Sequence, residues 1–177
     1  NNSIGGLSVG KYNLLRNSGF TGDFVSESLD NVTTLIENKE MFSDQLTHWE
    51  HSDVIIEDSS EAVSGKRAVI GGYLRQTIEE PIIVGEHYVL SFYVSGKNGV
   101  NYSIGGVSGT ANKGYLEYRK VVEKFVATSN NNTLSFEPVA DTTTIWDVQL
   151  ERGTVASSWG TSMKDNQSNT AYYQLLQ

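Results

Sequence analysis

The chain contains no cysteine. A disulfide scaffold, a thiolate metal site and a cysteine nucleophile are therefore excluded. Basic residues are few: 13 Lys and Arg stand against 21 Asp and Glu, for a net charge of −8 and an isoelectric point near 4.8. An acidic surface of this kind argues against a nucleic-acid backbone and against docking on anionic lipid. Neutral polyols, sugars and basic protein surfaces remain as partners. No apolar run approaches the roughly 18 residues that suggest a membrane span. The first 20 residues show no charged n-region followed by an apolar core, so no signal peptide is expected. Proline is scarce, at 2 residues, and charged residues make up 19%, too few for a typical disordered segment. No His-Glu-x-x-His pair and no phosphate loop is present. The acidic pairs Glu79-Glu80 and Glu57-Asp58 diverge if they lie on strands, so they do not point to hydrolysis. The expectation is a protein that is not an enzyme.

What is present reads as strand. Tyr (9), Phe (6) and Trp (3) are generous, and 177 residues fit one domain. Residues 1–11 are rich in Gly, Ser and Asn and read as a linker or arm. Residues 12–16 suggest a first short strand, Asn17-Ser18-Gly19 a turn, and Phe20 a core anchor. Residues 21–47 are mixed and polar. Residues 49–57, 67–70 and 73–78 read as strands, the last two separated by Gly71-Gly72. The alternation is strongest in 87–94, where Tyr88, Leu90, Phe92 and Val94 share one face. Gly96-Lys97-Asn98-Gly99 is a hairpin signal leading into 100–104. Residues 105–114 read as a loop, then 115–127 and 133–139 as strands. In the closing strand, 142–153, Trp146, Val148 and Leu150 share one parity and are expected to enter the core together, with Ile145, Asp147 and Gln149 opposite. Short strands with a turn every 8–12 residues predict an all-β antiparallel sandwich over 12–162. Residues 163–177 form a tail with helical spacing at Tyr172, Leu175 and Leu176.

The order Asn13-Leu14-Leu15-Arg16-Asn17-Ser18-Gly19-Phe20, then Trp49, then Leu74-Arg75-Gln76-Thr77-Ile78, then Gly85-Glu86-His87-Tyr88-Val89-Leu90-Ser91-Phe92, resembles the jelly-roll carbohydrate-binding modules. Tyr118 and Phe125 are similar to their aromatic-then-Phe strand. The ending, Ile145 to Thr154 with Ala156 and Trp159, is similar to modules of bacteriophage and prophage tail, baseplate and receptor-binding proteins. The resemblance implies a galactose-binding-domain-like jelly roll in a virion tail. Its implied partners are host cell-wall or surface polysaccharide and other tail or baseplate subunits, in a homo-oligomeric assembly put together in the bacterial cytoplasm. It requires no cofactor. It also implies a structural Ca²⁺ near the closing strand, where Asp147 matches the acidic position and Asp23 is a candidate partner. Asp147 holding only backbone is the other reading.

Sugar recognition needs flat aromatic faces for C–H groups and polar groups for hydroxyls. Parity nominates Tyr73, Tyr93, Tyr115 and Tyr118 as platforms, with Arg75, Asn101 and Gln76 as polar partners. Burial in packing is the commoner fate of such tyrosines. Trp146 is expected in the core, and Trp49 and Trp159 under loops. His48, Glu50, His51 and Asp53 cluster in sequence, but a strand throws the two histidines to opposite faces, so chance clustering is favoured.

Overall fold

The computed structural model describes residues 13–22 and 44–162. The described residues form eight strands: β1 (Glu50–Asp58), β2 (Lys66–Thr77), β3 (His87–Ser95), β4 (Val100–Ile104), β5 (Val107–Ala111), β6 (Tyr118–Val126), β7 (Thr133–Pro138) and β8 (Thr143–Arg152). All pairings are antiparallel. The fold is all-β, as the alternation predicts. The arm over 1–11, Tyr12, and the tail over 163–177, with Tyr172, Leu175 and Leu176, lie outside the described residues, as does Asp23.

β2 organises the sheet. β1 runs along one of its edges from Lys66 to Arg75. The other edge is shared: β8 pairs with Ala68–Ile70 and β7 with Leu74–Thr77. One strand therefore belongs to two layers, β5-β4-β7-β2 and β2-β8-β3-β6. The layers face each other across one core. Phe92 of β3 meets Tyr102 of β4 and Phe136 of β7 edge-on, at ring separations of 5.8 and 5.2 Å. Leu90, Phe92, Val148 and Leu150 are fully buried, as the facing-sheet pattern requires. Each such side chain stabilises the fold by about 1.5–3 kcal/mol relative to exposure.

Four sequence expectations are corrected. Residues 67–70 and 73–78 are not two strands; Gly71 and Gly72 lie inside the continuous β2, opposite a register break between Ser52 and Val54. The stretch 105–114 is not all loop, because Val107–Ala111 folds back on β4 through Gly105-Gly106. Residues 13–16 form no strand. Instead the Leu14 N–H donates to Leu150 O at 2.7 Å, and the Asn13 amide N–H donates to Gly160 O at 2.8 Å. This segment occupies the β8 edge that β2 leaves after Ile145. Finally, Trp146 does not join Val148 and Leu150. Asp147 adopts φ 49, and Ser91 faces Gln149 while Tyr93 faces Trp146, so β8 carries one extra residue there. This β-bulge reverses the parity. Ile145 enters the core with Val148 and Leu150, and Trp146 is buried as expected, at 1% exposure, but on the outer side of its layer against Tyr93 and Tyr118.

Trp49 packs as expected, with its ring 5.7 Å from Phe20 and its indole N–H donating to Asn17 O at 2.9 Å.

Candidate functional site

Two outer faces carry the predicted residues. On the first layer, β2 turns Leu74 and Gln76 inward and Tyr73 and Arg75 outward. β7 contributes Ser135 and Glu137, β4 Asn101 and Ser103, β5 Ser108 and Thr110. Strand register aligns these into cross-strand rows. Arg75, Ser135, Ser103 and Ser108 form one; Glu137, Asn101 and Thr110 form the next. The Ser, Thr, Asn and Glu members of these rows floor an open depression of about 380 Å³. Arg75 is outside that lining, next to Ser135 across the β2–β7 pairing, and its guanidinium carbon lies 3.8 Å from the Tyr73 ring centroid. The Arg75 Nε is buried and has no hydrogen-bond partner among the described residues. The Thr110 hydroxyl donates to Asn101 Oδ1 at 2.5 Å, which fixes the amide's orientation. Beneath, Tyr102 is buried, and its phenol is pushed up to about 12, first by burial and then by the Glu123 carboxylate reaching across from β6. It stays a neutral donor through the ordinary pH range.

Gln76 does not belong to this surface. It is 2% exposed; its carbonyl accepts from Arg16 N at 2.7 Å and its amide donates to Arg16 O at 2.8 Å. Its role is to anchor the 13–22 segment, which corrects its nomination as a sugar partner.

The second layer's outer face gathers Tyr93, Tyr118 and Trp146. Tyr93 stacks on Trp146 at 5.7 Å and 6° between planes, and Tyr118 meets Trp146 edge-on at 5.4 Å. Beside them lies a pocket of about 210 Å³, with Ser91, Tyr93, Lys120, Asp147 and Trp159 among its walls. The segment after Gly153 closes one side and is pinned from below. Glu151 accepts from Ser157 N at 2.8 Å, Gln149 Oε1 accepts from Gly160 N at 3.1 Å, and the Trp159 indole donates to Val148 O at 2.9 Å. Asp147 Oδ1 accepts from the Val63 amide at 3.0 Å. Burial pushes this carboxyl above its ordinary range, while the Val63 amide and the Lys120 ammonium pull the other way.

The structure thus brings Tyr73, Arg75 and Asn101 to one face and Tyr93 and Tyr118 to the other. Tyr115 joins neither; it stands fully exposed on the β5–β6 connection. Sequence reasoning missed the serine and threonine rows, which are visible as alternation only once the strand order is known. It also missed Lys120 and the wall made by Trp159. No three His, Asp or Glu side chains converge as metal ligands among the described residues. Calcium takes six to eight oxygens. Backbone carbonyls can supply many of these, and Asp23, the candidate partner of Asp147, lies outside the described residues. One string, Gly6-Leu7-Ser8-Val9-Gly10, has the spacing of a serine-hydrolase elbow and lies outside the described residues.

Neither a protein-family model nor a curated protein matches the chain. Solved structures do. An arabinose-bound α-L-arabinofuranosidase, MgGH51, aligns with a TM-score of 0.52 at 11% identity, over 86% of this chain and 28% of that one. The CBM22-1 xylan-binding domain of Paenibacillus barcinonensis Xyn10C reaches 0.47 at 10% identity, over 84% and 99%. The enzymatically active domain of bacteriophage CBA120 tailspike protein 4 reaches 0.44 at 12% identity, over 74% and 21%. At 11% identity the arabinofuranosidase match is a likeness of fold alone. The chain is a jelly-roll β-sandwich, and carbohydrate-binding modules are among the solved structures similar to it.

Proposed function

We propose that the chain is a non-catalytic carbohydrate-binding module of a phage tail or baseplate protein, and that the open face of its first layer grips a host-envelope saccharide. The observation that carries this reading is a depression floored by aligned hydroxyl, amide and carboxylate groups, with the Arg75–Tyr73 stack on the adjoining strand, where Arg75 is the register partner of the lining Ser135. A guanidinium pressed on a phenol ring presents a flat plate with a rim of donors. A pyranose offers the complement, with C–H groups on its face and hydroxyls at its edge. Four adjacent strands span roughly 14 Å at the usual strand spacing, room for a short run of sugar units lying across them. Neutral polymer suits a molecule of net charge −8. Affinity at one site is weak and rises by avidity over many copies in the assembled tail.

Affinity electrophoresis against purified bacterial wall polysaccharide tests the reading. Wild-type protein is retarded, and Tyr73→Ala and Asn101→Ala each weaken binding by about 5- to 30-fold, the range for one lost stacking or hydrogen-bonded contact. Both side chains lie at the surface, so melting temperatures stay close to wild type. Absence of retardation on any envelope polysaccharide, with the fold intact, removes the proposal. The second reading, a structural adaptor within the tail, is favoured by Tyr115 and Leu116, which project together from the β5–β6 connection, Leu116 being 61% exposed.

A further inference from the structure

The pocket on the second layer is built differently from the open groove. Asp147 is 5% exposed and Ser91 is 4% exposed, yet both line it. Among the described residues, Asp147 Oδ2 and the Ser91 hydroxyl have no protein hydrogen-bond partner; the one bond to Asp147 is Val63 N–H to Oδ1. A carboxylate offers about four acceptor positions, so these oxygens, open at a concave wall, are available to water or to the hydroxyls of a ligand. The aromatic walls are rigid. Tyr93 is backed by Trp146. The Trp159 ring is tethered by its indole N–H and held so closely against Gly19 that a Cβ there would lie 2.9 Å from it.

We propose that this pocket is a second, independent site that takes one neutral polyhydroxylated ring of monosaccharide size. Size argues for a single ring, since about 210 Å³ falls below the roughly 300–1,000 Å³ of pockets for drug-sized ligands. Charge argues for neutrality, because Asp147 and Lys120 face the same space with opposite signs. Ligand hydroxyls donate to Asp147 Oδ2 and accept from Lys120, whose Nζ lies 5.9 Å from the Tyr93 ring centroid, while Trp159 covers the ring's C–H surface and the Tyr93 edge closes the wall. The site lies on the face opposite the groove and does not depend on the groove's function.

The test titrates the whole chain with D-glucose, D-galactose and D-mannose, and with D-glucosamine and D-glucuronate as cationic and anionic controls. The Trp159 indole NMR signal is followed, assigned with Trp159→Phe. A neutral hexose is expected to shift that signal with a millimolar midpoint. Lys120→Ala, an exposed position that the fold tolerates, weakens it at least about tenfold, as does Asp147→Asn, the scale of a lost charge-assisted hydrogen bond. Three results overturn the proposal: no shift with any hexose at about 100 mM, an unchanged midpoint in Lys120→Ala, or tighter binding of either charged sugar. Polymer retardation without a hexose response sinks the pocket alone. A hexose response without retardation sinks the groove alone.

Discussion

Asp147 occupies a backbone conformation, φ 49, that L-residues other than Asn and Asp seldom adopt. That single dihedral inserts the bulge in β8, turns Trp146 against Tyr93 and Tyr118, and brings a carboxylate to the pocket wall. The cost of burying that carboxylate shows in the direction of its titration. Burial raises the carboxyl's pKa above the ordinary 3.8, with the Val63 amide and Lys120 only partly opposing. The folded state therefore holds the proton to higher pH than the unfolded chain does. The favourable contribution is fully present below pH 3.8 and is lost as pH rises through the folded value. At pH 7 the buried charge is a penalty. Asn keeps both the left-handed backbone and the acceptor for Val63 N–H. Asp147→Asn is accordingly expected to melt higher than wild type at pH 7, with the difference closing as pH falls to about 3, below the unfolded carboxylate range. A gap of equal size at both pH values would mean that the substitution acts through packing instead. The same variant is expected to lose hexose binding, so stability and ligand affinity trade against each other at this one residue.

At the scale of elements, β2 carries the architecture, because its two halves pair with different layers. The crossing point is Gly71-Gly72. A Cβ on Gly72 would lie 2.4 Å from Ser52 O, a backbone atom of the neighbouring β1 that cannot rotate away. Gly72→Ala is expected to cost about 1–3 kcal/mol, the scale of overpacking strain. It should appear in urea unfolding as a lower midpoint with an unchanged slope. A neutral substitution there would show that β1 and β2 separate more easily than their register implies. Glycine also explains where the sequence misleads. Gly71-Gly72 reads as punctuation between strands when it is the bend of one, and β5 hides in a Gly/Ser stretch with little apolar alternation. β3 was legible because Tyr88, Leu90, Phe92 and Val94 alternate without interruption. β8 was not, because a bulge shifts parity without leaving a compositional mark. For the site, outward parity put Tyr73 and Arg75 on the solvent side of β2 and Asn101 on that of β4. That these strands lie in one layer, with β7 between them, follows from long-range register that local pattern does not encode. The segment after Gly153 has no periodicity, so Trp159 as a pocket wall was beyond reach.

The whole molecule presents two decorated faces on opposite sides of one core, under a net charge of −8. That charge decides what kind of polymer the groove can hold. Arg75 and Glu137 sit on the same face with opposite signs, and the rows around them are serine, threonine and asparagine. Nothing there resembles a basic track from which a polyanion would release counterions. Screening lengths fall from about 10 Å at 0.1 M salt to about 3 Å at 1 M. A neutral saccharide brings no charge for salt to screen. Its dissociation constant is expected to change less than about twofold between 0.05 and 0.5 M NaCl, because hydrogen bonds and stacking carry the contact. An anionic wall polymer should behave oppositely to a nucleic-acid ligand: repelled at low salt by the acidic surface, and bound better as salt rises. Calorimetry of one neutral and one anionic polysaccharide at the two salt concentrations separates these cases. A steep loss of affinity with added salt, of the kind that neutralised phosphates produce, would mean that cations dominate the interface and would remove the neutral-polymer reading of this face.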